Sequence, residues 1–310
     1  MHKLLKFGPL KRILLAAVLA ALPGLAQIGM FTNELRTAMT GQWTGERFPD
    51  GRPKVPDEVL DRLKHTTAEE AWGTLRRLGY PNQFEGGWKT INVPGIGAED
   101  RLVGRVVTGV FMPARPDLNT YVTESAKKEG RAGRGGQNAW VIDTLVQRDV
   151  MVIDLFGKIK DGTIIGDNLG TSIMTKTGTG IVVNGAVRDP SGISEIKGFK
   201  VFARDFHPSA IANVTLTGIN VPIRIGQVTV LPGDVVVSDP DGLTFIPAHL
   251  AKEVADESEL TQLQDQWGHQ MLREQKYKPG QIDSQWSDAM IDEFNAWAAQ
   301  QGSKMRMKKH

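Results

Sequence analysis

Apolar residues along this chain recur either every three to four positions or in short alternating or continuous runs, and the switches between the two rhythms lay out its elements. The first stretch after the N-terminal apolar run, 27–56, is rich in Thr, Gly, Pro and Trp and reads as an extended arm with one short helix near Asn33–Met39. From Asp57 the spacing turns helical, with Val59, Leu60 and Leu63 on one side. A second helix is expected from Thr66-Thr67, because Thr67 and Glu70 stand at capping-box spacing. Ala71, Trp72, Leu75 and Leu78 continue its stripe and Gly79 stops it. A glycine-rich connector (Glu85 to Gly97) then precedes a strand over Arg101–Phe111. Residues 112–139 are rich in Pro, Gly and charge and read as a mobile solvated loop. Its Arg131-Ala132-Gly133-Arg134-Gly135-Gly136 segment has neither phosphate-loop spacing nor a strand immediately before it.

A helix at Asn138–Gln147 and a strand at Val150–Leu155 lead into the most patterned part of the chain, Gly162 to Asp189. Leu169, Ile173 and Met174 predict a helix buried on one face, and the glycine-bounded run Ile181-Val182-Val183 predicts a buried strand. Strands follow at Phe199–Ala203, Val221–Val230, Asp234–Ser238 and Leu243–Ile246, with turns at Leu231-Pro232-Gly233-Asp234 and Asp239-Pro240-Asp241-Gly242. Ala248 to Glu259 is helical. Trp286, Met290, Phe294 and Trp297, with Ile291 beside them, share a helical face after a start near Asp283, a stripe expected to pack on the body or a neighbouring subunit. Ser303–His310 reads as a frayed basic tail. Strands that alternate with helices early and cluster late predict a mixed α/β fold.

The N-terminus alters where that fold is expected to work. Lys3, Lys6, Lys11 and Arg12 precede an apolar run from Ile13 to Leu22, and Gly24-Leu25-Ala26 offers small residues for cleavage, the pattern of a secretory signal peptide. Pro23-Gly24 interrupts the run short of the ~20 apolar residues a spanning helix needs. The expectation is a periplasmic or secreted protein with no stable membrane insertion after leader cleavage. Removing 1–26 takes four basic residues and no acid, turning a formal charge of +2 into −2, so no nucleic-acid partner is expected. The chain has no Cys, which excludes disulfides, thiolate nucleophiles and thiolate metal sites.

Candidate chemistry gathers at the two ends of the Gly162–Asp189 stretch. Gly166-Asp167-Asn168-Leu169 is a turn at a helix N-terminus, where unpaired backbone N–H groups form a cradle for a carboxylate. Arg188-Asp189 follows the strand: it is either a local turn-stabilising pair or a charged fork beside a hard oxygen donor. Six His residues (His2, His65, His207, His249, His269, His310) never fall at zinc-ligand spacing. Asn184 is a weaker candidate, better read as a buried hydrogen-bonding group, and Lys176 as a surface charge.

Four ordered motifs carry a resemblance: GDNLGT (166–171), GIVVNGAVRD (180–189), FKVFARD (199–205) and VLPGDVVVSDPDGLTFIP (230–247). Together they resemble the RraA-like family over roughly Thr66 to Asp256. That family holds metal-dependent 4-hydroxy-4-methyl-2-oxoglutarate aldolases, which also decarboxylate oxaloacetate, and a protein regulator of ribonuclease E. The resemblance implies a swivelling β/β/α sandwich with an N-terminal helical arm and a C-terminal helical extension, assembled as a ring-like homotrimer with sites at subunit boundaries. It divides the chain into a signal peptide (1–26), an arm (27–65), an RraA-like domain (66–256), a helical extension (257–302) and a basic tail (303–310).

By the same resemblance Asp189 binds Mg²⁺ or Mn²⁺, and Gly166, Asp167, Asn168, Leu169 and Arg188 contact a small 2-keto acid. Arg188 and Asp167 are then the catalytic pair, Arg188 stabilising enolate charge and Asp167 orienting metal-bound water. The implied activity is C–C cleavage, by retro-aldol reaction or decarboxylation, through a pyruvate enolate. One departure stands out. The aldolase pattern places an acid three positions after the metal Asp, and here that position is Gly192, with Glu195 the nearest replacement. A non-catalytic trimeric binding or regulatory protein on the same fold is the alternative.

Overall fold

The computed structural model describes residues 32–95, 97–131 and 135–309. The expected leader and residues 132–134 of the glycine-rich basic segment therefore lie outside the described residues. The arm is held far more firmly than its composition suggests. Thr32 caps α1 (Asn33–Met39), as predicted. Arg36 is fully buried and donates from Nε to the Asn220 carbonyl at 2.7 Å. Arg52, 1% exposed, grips the fully buried Asp149 through two N–H···O contacts of 3.1 and 3.2 Å and stacks over Phe48. Next come α2 (Asp57–Leu63) and α3 (Ala68–Arg77), the latter with both arms of the Thr67/Glu70 capping box at 3.0 Å.

The connector after α3 is not structureless: it supplies β1 (Phe84–Glu85) and β2 (Lys89–Ile91), which lie at the two ends of the sheet order. Short edge strands pair through backbone groups and need little side-chain pattern, which is why the glycines hid them. After β3 (Val103–Pro113) the expected solvated loop holds a 13-residue helix, α4 (Pro116–Lys128). Pro116 sits at its first turn, and Val122 and Ala126 are buried four residues apart; a stripe this thin was lost among charges. Then come α5 (Gln137–Ile142), shorter than predicted, and β4 (Asp149–Thr163), which continues past Leu155 through positive-φ residues Phe156, Gly157 and Asp161.

The centre follows as read: α6 (Asp167–Thr177), closed by left-handed Gly178, and β5 (Gly180–Val187), buried at every residue. Pro190-Ser191-Gly192 opens a short helix, α7 (Pro190–Ser194). The β series resolves into β6 (Lys200–Phe206), β7 (Val214–Ile219), β8 (Ile223–Ile225), β9 (Val228–Val230), β10 (Val235–Asp239) and β11 (Gly242–Ile246). The single run expected over Val221–Val230 is a hairpin turned at Gly226, whose φ is 58°. The chain ends with α8 (Ala251–Arg273), which passes unbroken through position 256/257, then α9 (Pro279–Ile282) and α10 (Asp288–Gln300).

Among the described residues nine strands form one sheet in the order β1-β11-β10-β3-β4-β5-β6-β2, with β7 pairing β3 off this path. The four central strands β3 to β6 run parallel and the flanking pairs antiparallel. Alternation sorts the core. Met151, Ile153, Ile181 and Val183 face the layer of α4, α5, α6 and α7, whereas Val150, Val152 and Val182 face the β8–β9 hairpin. Val235 and Val237 instead meet α2, α3 and the start of α8. The C-terminal stripe closes on its own cluster: Trp267 and Met271 of α8 pack with Trp286, Met290 and Phe294. The tail is docked rather than frayed, because Met307 exchanges two backbone hydrogen bonds with the Asn295 side chain, 2.8 and 2.9 Å. No described helix is long and apolar enough to cross a membrane.

Candidate active site

Two chain crossings build the site, at the carboxyl ends of parallel strands where open α/β sheets bind ligands. The first is the Ile164–Leu169 turn between β4 and α6, and the second is the exit of β5 at Arg188. Backbone hydrogen bonds tie them together: Ile164 N–H to the Ala186 carbonyl and Arg188 N–H to the Ile165 carbonyl, both 3.0 Å. Gly166 is the N-cap residue of α6 and has no side chain with which to cap it. Asp167 opens the helix half-buried, its Oδ1 accepting from Asn168 N–H at 2.8 Å; Asn168 is exposed and Leu169 half-buried.

The glycine at 166 is required by what surrounds it. A Cβ there would stand 2.4 Å from Asp189 Oδ2 and 3.1 Å from Arg188 Nε. Arg188 and Asp189 thus converge on the bare Cα of Gly166, with their own closest approach 3.3 Å (Nε to Oδ2) and each side chain about half exposed, 45% and 48%. Asp189 holds a left-handed backbone, φ 54° and ψ 48°. A non-glycine residue there carries local strain of the kind that collects at functional sites. The strained residue is also the N-cap position of α7, and its carbonyl accepts from Ile193 N–H at 2.9 Å.

A cavity of about 110 Å³ opens beside this junction, walled by Gly166 to Leu169, Arg188, Asn138 and the Ala210-Ile211 segment. Asp189 does not line it; its carboxylate reaches the site at Gly166. All six predicted residues therefore fall within one junction, five of them around the cavity. Glu195, the proposed replacement carboxylate, is exposed at the end of α7. Among the described residues no group of three or more His, Cys, Asp or Glu side chains comes together, so Glu195 does not complete a carboxylate trio with Asp167 and Asp189. The space it was to fill belongs to Asp167: a Cβ at Gly192 would lie 3.0 Å from both Cβ and Oδ2 of that aspartate.

Asn184 keeps to its structural reading. Its Nδ2 donates to Asp154 at 2.9 Å and its Oδ1 accepts from Arg204 Nε at 3.1 Å, making a polar row across β4, β5 and β6. Lys176 is exposed in the last turn of α6. Sequence reasoning missed Asn138, which is 9% exposed and donates from Nδ2 to the Ile164 carbonyl at 2.7 Å, pinning the cavity's turn from below. It also missed the Ala210-Ile211 wall, fastened where Asp161 N–H meets the Ser209 hydroxyl at 2.7 Å. Neither carries a local signal, since both act through contacts made only on folding.

Against known proteins, the RraA-like family (Aldolase/RraA) matches residues 72–245. A Halalkalibacterium halodurans protein that carries the name 4-hydroxy-4-methyl-2-oxoglutarate aldolase provisionally is 34% identical over 134 residues, 42% of this chain and 63% of its own length. The Thermus thermophilus 4-hydroxy-4-methyl-2-oxoglutarate aldolase is 32% identical over 98 residues, 32% of this chain and 58% of its own length. The chain thus spans about three fifths of these curated relatives. Among solved structures, Streptomyces coelicolor RraAS2, described as an unusual member of the RNase ES inhibitor RraA protein family, superimposes with a TM-score of 0.59 at 24% identity. That match covers 70% of this chain and 99% of RraAS2, and establishes the shared fold. The profile takes in more than half of the chain, including the Gly166 turn and the Arg188-Asp189 exit, and the chain belongs to the RraA-like family.

Proposed function

We propose that this protein is a divalent-metal-dependent lyase that cleaves a C–C bond of a small 2-keto acid. The observation that carries the reading is the convergence of the Arg188 and Asp189 side chains on the bare Cα of Gly166, at the mouth of an amide-rich turn. The donor set suits a hydrated hard cation. Asp189 offers one half-exposed carboxylate, and Mg²⁺ or Mn²⁺ takes few protein ligands and keeps several waters. A cation bound there supplies Lewis-acid polarisation of the keto acid's oxygens.

The chain's own residues do the rest. Backbone N–H groups at the start of α6 receive the substrate carboxylate, helped by the positive end of the helix dipole. Arg188, permanently charged, directs its guanidinium at the keto oxygen and gains most when that oxygen becomes an enolate. In a retro-aldol reaction the distal hydroxyl loses its proton, the C–C bond breaks and its electron pair forms pyruvate enolate. In decarboxylation CO₂ leaves and the same enolate forms, so one site serves both. Protonation of the enolate carbon then yields pyruvate. Asp167, seated between the turn and Gly192, is placed to hold a water that takes or returns that proton.

We further infer export by the N-terminal leader, a swivelling-sandwich core and assembly as a homotrimer. The test is pyruvate release from oxaloacetate or 4-hydroxy-4-methyl-2-oxoglutarate by the purified protein with Mg²⁺. Metal-dependent turnover lost in Asp189→Ala supports the lyase; no metal-dependent turnover, or full turnover in that variant, overturns it. The absence of an acid at Gly192 favours the second reading, a non-catalytic binding protein, which gains if a stoichiometric exported partner co-purifies and no metal binds.

A further inference from the structure

A second cleft opens at the opposite end of α6 from the candidate site. That helix runs 11 residues from Asp167 to Thr177, so its ends lie roughly 16 Å apart. Gly178, just past its last turn, lies in the wall of a cavity of about 380 Å³ at the starting ends of the parallel strands. Lys64, Arg101, Arg148 and Lys200 line it, and Glu99 is the single carboxylate among the lining residues. The cleft is larger than the cavity beside Gly166, shares no lining residue with it, and is far more cationic.

The four cations are not equivalent. Lys64 pairs with Asp61 at 2.8 Å, Arg148 reaches Asp61 at 3.0 Å and Asp57 at 3.5 Å, and Arg101 donates to the Lys64 carbonyl at 2.9 Å. Lys200, the first residue of β6, is half-buried, and its ammonium makes no hydrogen bond or ion pair among the described residues. Burial pushes its pKa down and Lys64 adds to that, while Asp100 and Glu99 pull the other way from beyond ion-pair distance. A half-buried ammonium with no carboxylate at ion-pair distance among the described residues gains more from an arriving anion than one already paired. The Gln147 side-chain amide, which packs against Gly178, adds a neutral donor in the same wall.

We propose that this cleft binds a small oxyanion, phosphate- or carboxylate-bearing, with Lys200 as its principal ionic partner. The site is independent of the lyase reading, because it uses none of the residues assigned to that chemistry. Full-length protein is titrated with inorganic phosphate, and separately with succinate, at constant ionic strength while Tm is followed. A saturable rise in Tm with either probe is expected, and the probe that saturates names the headgroup. Lys200→Met keeps the aliphatic stem and should abolish the rise. Glu99→Gln, which removes the opposing carboxylate, should shift the half-saturating concentration down several-fold. Asp189→Ala should leave the rise intact, which separates this site from the lyase site.

Labelling provides a readout that does not need a stable variant. Pyridoxal phosphate followed by borohydride should modify Lys200 ahead of exposed lysines such as Lys176, and phosphate should protect it. A Tm response that never saturates, one identical in Lys200→Met, or labelling of Lys200 no faster than of Lys176 would overturn the proposal and leave an adventitious ion only.

Discussion

Gly166 shows how much one missing side chain can do. Its bare Cα lets a carboxylate and a guanidinium approach a helix N-terminus that would otherwise be shielded. Gly166→Ala should leave the far-UV CD spectrum unchanged and lower metal-dependent pyruvate release by on the order of 10²-fold, the usual effect of displacing reacting groups by about 1 Å. Asp234 gives a pH prediction. It is fully buried in the β9–β10 turn, and desolvation pushes its pKa up to about 7 against hydrogen bonds from Leu231 and Ala248 N–H that pull it down. The folded state therefore holds a proton that the unfolded chain releases near the ordinary carboxylate value. Its contribution to stability is full below about pH 4 and is lost as pH rises towards 7. Asp234→Asn should flatten the slope of Tm against pH across that window; an unchanged slope would show that other groups set it.

At the scale of elements, two devices attach the flanking segments to the sheet. The arm is clamped by Arg52, whose guanidinium sits between Asp50 and the buried Asp149 at the start of β4. Removing one partner of such a pair strands the other in a dry site. Arg52→Met should cost about 3–5 kcal/mol by denaturant unfolding. The C-terminal extension instead has its own aromatic centre, with the rings of Trp267 and Trp286 4.7 Å apart and Phe294 edge-on to both. Phe294→Ala should cost that cluster about 3–5 kcal/mol. Hydrogen exchange should then show faster amides in α10 and the end of α8 while β4 and β5 keep their protection. Loss of protection throughout would mean that the extension and sheet unfold as one unit.

Across the whole molecule, the parallel strands place different chemistry at their two ends, and α6 spans the distance between them. The carboxyl ends hold the Gly166 cradle and the Arg188-Asp189 pair, and the starting ends hold the cationic cleft around Lys200. Much of this was legible in the chain. The thick apolar periods of α3, α6, β5 and α10 are strong because these elements are buried on one face or, in β5, throughout, and capping Thr67 and stopping Gly79 mark ends by backbone requirements that any fold must meet. Thin elements were not legible: α4 buries only Val122 and Ala126, and β1 and β2 are held by backbone pairing.

The sequence by itself singled out the residues on which the proposed chemistry rests. Gly166, Asp167, Arg188 and Asp189 stand out because glycine-rich turns and charged pairs beside apolar strands are local patterns written in consecutive positions. Only the tertiary structure decided how they meet: that Asp189 and Arg188 close on the Cα of Gly166, that Asp167 rests on Gly192, and that Asn138 holds the turn. It also decided that Lys200, an ordinary lysine in the chain, lines a cleft with no ion-pair partner among the described residues. Those facts depend on distances between segments far apart in sequence, and such distances are fixed by the packing of the whole sheet rather than by any local preference.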